Sequence, residues 1–159
     1  MATTLNLRGT IVDFSRPKIM GILNVTDDSF YDGGRHNTLD RALLQVDKML
    51  QEGADLIDIG GQSTRPGATT LSAEEELDRI LPVFEAIKAQ FPNAFVSIDT
   101  YYSTVADTLL SLGADVINDV SGGEMDPEII DVVASYQCPY ILMHHCGCLL
   151  YTLTLPTKA

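Results

Sequence analysis

An apolar run from Ile19 ends abruptly at Asn24 and passes into a loop of hydroxyls, carboxylates and glycines, IMGILNVTDDSFYDGG. Four later runs end the same way: LIDIGGQSTRPG from Leu56, FVSIDT from Phe95, VINDVSGG from Val116 and YILMHH from Tyr140. Together they deliver amides, carboxylates, hydroxyls and a guanidinium, Arg65, to the ends of apolar segments. An apolar run of such length reads as a buried strand, and the rim where strands end is where α/β folds keep their active sites. Five polar endings on one rim make the case for an enzyme. The segment His144-His145-Cys146-Gly147-Cys148 is a second candidate, for a metal. Contiguous residues rarely wrap a tetrahedral ion unaided, so no transition-metal site is read there.

The elements between the runs position these endings. Leu39, Ala42, Leu43, Val46, Met49 and Leu50 recur at helical spacing over 38–51, with Gly53 as the stop. Ser72 with Glu75 three residues on forms a capping box, and Leu77, Ile80, Leu81, Phe84 and Ile87 supply the buried stripe of a second helix. A third helix is expected over 102–112, stopped by Gly113, and a fourth over 127–136, capped by Asp126. The order is βαβαβαβαβ, which demands parallel strands with right-handed crossovers and so puts every polar ending on one face. An open doubly wound sheet and the first part of an eight-stranded barrel both satisfy this pattern. No GxGxxG or GxxxxGKS follows the first run, which removes support from the nucleotide-binding open sheets.

The chain has 159 residues, enough for one domain with a core, and a formal charge of −12. That charge, with no Lys/Arg run, excludes nucleic acid and an anionic membrane surface as partners. No segment has the apolar length of a signal-peptide core at the N-terminus or of a membrane span, so the expected location is cytoplasmic. The three cysteines, Cys138, Cys146 and Cys148, cluster near the C-terminus and do not form a disulfide framework.

GILNVTDDSFYDGG, GADLIDIGGQSTRPGA, SIDT and GADVINDVSGG, in this order and spacing, resemble the successive signature segments of the dihydropteroate synthase family. The resemblance covers about 5–144. It implies a pterin-binding (β/α)8 TIM-type barrel, here about five β/α units, that joins 6-hydroxymethyl-7,8-dihydropterin pyrophosphate to p-aminobenzoate with release of pyrophosphate. It also implies Mg²⁺ ligated by the amide oxygen of Asn24, an oxygen donor of the kind magnesium prefers. Thr64 and Arg65 correspond to a hydroxyl donor and a guanidinium facing the anionic substrate. Asp99 corresponds to a pterin-contacting carboxylate that favours the positive charge developing as pyrophosphate leaves, and Asn118 to a donor and acceptor for the pterin edge. Asp99 and Arg65 are the catalytic candidates. The loop with Asp28, Ser29 and Phe30 corresponds to a flap over p-aminobenzoate.

Each residue also has a plainer reading: a turn asparagine at 24, a surface charge at 65, a helix cap at 99, and a backbone-satisfying asparagine at 118. Asp58, inside its apolar run, reads as structural with an unnamed partner. Two positions depart from the family pattern, Asp27 where proline is typical and Gln62 where glutamate is typical. The resemblance ends near His145, giving a barrel portion over 1–145 and a non-matching tail over 146–159. A five-unit barrel portion is expected to leave open sheet edges and to be impaired in turnover. Three functions therefore compete: the synthase, a non-catalytic pterin-binding or assembly module that could form a homodimer, and a methyltetrahydrofolate methyl-transfer domain. The Ser29-Phe30 loop and the STRPG segment favour the first.

Overall fold

The computed structural model describes residues 4–25, 34–62 and 69–143, with residues 34–38 described at the level of the backbone. Two strands open the chain, β1 (Thr4–Leu7) and β2 (Thr10–Asp13), followed by β3 (Met20–Asn24), α1 (Gly34–Gln51), β4 (Leu56–Gly60), α2 (Ala73–Gln90) and β5 (Phe95–Asp99). Then come α3 (Ser103–Ser111), β6 (Val116–Asp119), α4 (Glu128–Ser135) and β7 (Tyr140–Leu142).

Strands β3 to β7 form one parallel sheet in strict chain order. A doubly wound sheet reverses its strand order at a switch point, whereas a (β/α) barrel adds each strand beside the last. The observed order therefore settles the alternative that periodicity left open, in favour of the barrel type. Register places Ile22, Asp58 and Ser97 on one face, with Asn24, Gly60, Asp99 and Asn118 a level higher on the same face. The opposite face carries Leu23, Ile57, Ile59, Val96, Ile98 and Ile117, all buried with Val46, Ile80, Phe84, Ile87, Leu109 and Ile129 of the helices. This helix-covered side is the core, and the polar face is the one a barrel turns inward.

The helices form largely where expected. Ser72 caps α2, accepting from the Glu75 backbone N–H while Glu75 accepts from the Ser72 N–H at 2.8 Å. Gly53 and Gly113 take positive φ of 101° and 100° just past α1 and α3, the left-handed stop that glycine adopts without strain. Helix α1 starts at Gly34 rather than near Thr38. Once a turn is nucleated, each further residue adds a hydrogen bond at little cost, so a helix can extend back through residues read as loop. Helix α2 also continues through Pro82, with Ile80, Val83, Phe84 and Ile87 buried on either side of it.

The β1–β2 hairpin is absent from the sequence reading. Its turn is Arg8-Gly9, both at positive φ (46° and 85°), and Gly9 N–H donates to Asn6 Oδ1 at 2.7 Å. Two central residues with φ > 0 are the signature of a type I′ turn, but Arg-Gly is not among the dipeptides that announce one. The hairpin covers the N-terminal ends of the strands. Leu5, Leu7 and Phe14 face Met20, Phe95 and Val116 across a cavity of about 390 Å³.

A buried carboxylate fastens this foot. Asp115 pairs with the Arg8 guanidinium, accepts from Val96 N–H at 2.8 Å and lies 3.7 Å from Lys88 Nζ. Burial lowers the Lys88 ammonium pKa against the pull of Asp115. Asp55 does the same work beside it, holding Lys18 Nζ at 3.0 Å and Ile19 N–H at 2.9 Å. No helix among the described residues is long and apolar enough to cross a membrane.

Candidate active site

At the opposite, C-terminal rim the sheet register brings Asn24, Asp99 and Asn118 to one level, separated by the bare backbone of Gly60. A methyl group built on Gly60 would stand 3.2 Å from Asp99 Oδ2 and 3.4 Å from Asn24 Oδ1. Two oxygen donors from non-adjacent strands therefore converge over a position kept clear of a side chain. Such a donor set fits a hard cation such as magnesium, which takes one or two protein oxygens and keeps several waters. No cluster of three or more His, Cys, Asp or Glu suited to a metal occurs among the described residues.

Asp99 is the most perturbed group at this rim. Burial raises its pKa from 3.8 to about 7, and the negative fields of Asp58, Glu76 and Asp119 add to the effect. A carboxylate held among other carboxylates favours partners that bring N–H donors or positive charge. Its plainer reading as a helix cap fails. The α3 N-terminus is satisfied by Asp126, whose Oδ2 accepts from Ser103 N–H at 2.7 Å, while its Oδ1 accepts from Glu128 N–H at the start of α4.

One level below, Asp58 is 2 % exposed and accepts from Asn118 Nδ2 at 3.0 Å. Asn118 thus bonds a side chain on the inner face of the sheet rather than serving neighbouring backbone. Burial raises the Asp58 pKa, opposed by Ser97 and Asn118. Asp58, structural by its place inside an apolar run, thus has Asn118 as the partner that the sequence leaves unnamed. Its signal lay in its phase: two residues before Gly60 it shares the inner face with the rim residues.

Two further groups shape the rim and were missed. Glu76, fully buried on α2, receives Gln62 Nε2 at 3.1 Å, and burial raises its pKa against the hydrogen bonds of Gln62 and Thr100. Gln62 also donates to Leu71 O at 3.2 Å and accepts from Leu71 N–H at 3.1 Å. Tyr102 Oη adds a bond to the same carbonyl at 2.6 Å. An amide both donates and accepts here, which a glutamate at 62 could do only as the protonated acid. Asp119, on the helix side, gathers Tyr140 Oη at 2.5 Å and the N–H groups of Ser121 and Gly123, both at 2.7 Å, and so ties down the loop after β6.

The remaining sequence candidates, Asp28, Ser29 and Phe30 of the flap, Thr64 and Arg65, and the 146–159 tail with His144 to Cys148, lie outside the described residues. Cys138 is a free thiol whose pKa burial pushes up to about 11, as befits a packed rather than reactive cysteine.

Residues 20–152 match a family described as pterin binding enzymes, a span reaching seven residues into the 146–159 segment. The chain is 49% identical over 131 residues to a dihydropteroate synthase of Staphylococcus haemolyticus, covering 82% of this chain and 48% of that one. It is 50% identical over 138 residues to a mitochondrial folate synthesis bifunctional protein of Arabidopsis thaliana, covering 85% of this chain and 25% of the relative. Among solved structures, a Xanthomonas albilineans dihydropteroate synthase with 4-aminobenzoic acid superposes with a TM-score of 0.82 at 44% identity, over 92% of this chain and 53% of that chain. The chain thus spans about half the length of these synthases, and a quarter of the bifunctional protein.

Proposed function

Because this chain belongs to the pterin binding enzyme family, we propose that it carries the pterin-binding half-site of a dihydropteroate synthase in folate biosynthesis. The observation that carries the proposal is the convergence of Asn24 and Asp99 over Gly60, with Asn118 beside Asp99 and locked to Asp58. An acceptor-rich rim suits the N–H-bearing edge of a dihydropterin.

In this reading the amine nitrogen of p-aminobenzoate attacks the methylene carbon of 6-hydroxymethyl-7,8-dihydropterin pyrophosphate. The carbon–oxygen bond breaks, pyrophosphate departs with the electron pair, and the amine loses a proton. Asp99 holds pterin N–H groups and favours the positive charge that builds as that bond stretches. Asn118 fixes the ring beside it. Thr64 and Arg65 face the leaving anion, and Asp28, Ser29 and Phe30 belong to the loop that closes over p-aminobenzoate. Mg²⁺, with Asn24 Oδ1 as its protein ligand, would supply countercharge to the pyrophosphate. In this reading the barrel portion is assigned to 1–145 and the segment 146–159 follows it, its first seven residues still within the family match, and the protein acts in the cytoplasm.

The test uses the full chain. Binding of the dihydropterin pyrophosphate is measured with and without Mg²⁺ by calorimetry, and pyrophosphate release is measured on adding p-aminobenzoate. Saturable binding strengthened by Mg²⁺, and weakened at least tenfold by Asn24→Ala only when Mg²⁺ is present, supports the reading. Absence of pterin binding refutes it.

A further inference from the structure

The buried Asp58 is more than the mechanism above requires. Its Oδ2 receives Asn118 Nδ2 at 3.0 Å, reaching across the middle strand β5, whereas its Oδ1 makes no close hydrogen bond and has only the Ser97 hydroxyl, its register partner on β5, beside it. A buried carboxylate oxygen without a close hydrogen bond is costly, and in native structures such an atom calls for an explanation. Asp58 shares the inner face with Ser97, Asp99 and Asn118, so this carboxylate belongs to the ligand side of the sheet rather than to the helix-packed core.

The bond to Asp58 also decides how Asn118 presents itself. An asparagine amide has an acceptor on one side and donors on the other, and a facing carboxylate tolerates only the donor side. With Nδ2 committed to Asp58, the amide oxygen is turned away from it. The groups gathered here are then Asn118 Oδ1, Asp58 Oδ1 and, once ionised, Asp99, all acceptors, with the Ser97 hydroxyl opposite Asp58.

We propose that Asp58 is a specificity-determining positioning residue: by fixing the amide of Asn118 so that its oxygen faces the ligand side, it selects heterocycles with adjacent N–H donors. The 2-amino edge of a pterin meets this requirement. The same ring with oxygen in place of the exocyclic amine, as in 2,4-dioxopteridine, does not. The inference rests on the pterin-binding reading and deepens it.

The experiment compares the affinity of the full chain for pterin and for 2,4-dioxopteridine by fluorescence titration, in wild type, Asp58→Leu and Asp58→Asn. Wild type should favour pterin at least tenfold. Asp58→Leu removes the acceptor while keeping the branched heavy-atom shape and should cut that ratio by tenfold or more. Asp58→Asn retains an oxygen for Asn118 Nδ2 and should restore much of it. A ratio unchanged in Asp58→Leu overturns the proposal while leaving pterin binding intact. Wild type that binds neither ring overturns the pterin reading and this inference with it. A second readout needs no variant to fold. In wild-type NMR spectra one Asn118 side-chain amide proton should be protected from solvent exchange, and rapid exchange of both overturns the positioning role.

Discussion

Asp99→Asn isolates the electrostatic cost of the rim. In the folded chain the Asp99 pKa lies at about 7 rather than 3.8. The folded state therefore holds a proton over a pH range in which the unfolded chain has released it. By linkage, the Asp99 contribution to stability is complete below the unfolded value of 3.8 and is lost as pH rises through about 7. A difference of about three pH units corresponds to about 4 kcal/mol at ~1.36 kcal/mol per unit. Asp99 is partly exposed at the open rim, which makes this figure an upper bound. About three fifths of it, at most ~2.5 kcal/mol, falls between pH 5 and pH 8. Asparagine keeps the shape and does not titrate. Urea unfolding of both proteins, followed by circular dichroism at several pH values in this interval, should show Asp99→Asn gaining on wild type by this amount toward pH 8. A stability difference that does not change with pH, or that moves the other way, refutes the reasoning. The same protonation predicts proton release when a pterin edge binds near pH 7, seen as a dependence of binding enthalpy on the buffer.

Three further perturbations address the frame. Asp115→Ala leaves Arg8 and the half-buried Lys88 without their carboxylate and Val96 N–H without its acceptor, and should cost about 3 kcal/mol in denaturant unfolding. Gly122→Ala forces a side chain onto a residue at φ 66°, with its Cβ 2.6 Å from the Met143 carbonyl. It should destabilise by more than about 2 kcal/mol and increase hydrogen exchange in the loop after β6. Ser72→Ala breaks the capping box of α2 and should cost about 1 kcal/mol, visible as a lower urea midpoint with an unchanged slope.

Strands and helices were legible because their patterns are strong. Five apolar runs separated by amphipathic segments left little choice but parallel strands, and Ser72 with Glu75 announced its helix by local chemistry alone. Strand order was not legible, since an apolar run buried on one side reads like one buried on both. The hairpin escaped because a four-residue strand pair around Arg-Gly carries too little alternation to register. Within the site, Asn24, Asp99 and Asn118 were visible as polar endings. The bond between Asp58 and Asn118 spans sixty residues of sequence and crosses an intervening strand, so only the register reveals it. The buried Glu76 was hidden for a different reason. It follows two glutamates in the first turn of α2, where acidic residues are ordinary partners of the helix dipole.

The five residues of β5 join two regimes. At one end Val96 N–H is held by Asp115 with Arg8 and Lys88; at the other Asp99 stands among carboxylates whose repulsion costs stability. Three residue steps separate Val96 from Asp99, about 10 Å of strand. In a mutational survey this strand should divide sharply: substitutions that disturb the Val96–Asp115 end will deplete the folded protein while leaving the affinity of surviving molecules intact. Those at Asp99 will leave abundance steady or raise it while erasing recognition. Scoring abundance and binding separately along these few residues would trace the boundary between what holds the molecule together and what it was built to hold.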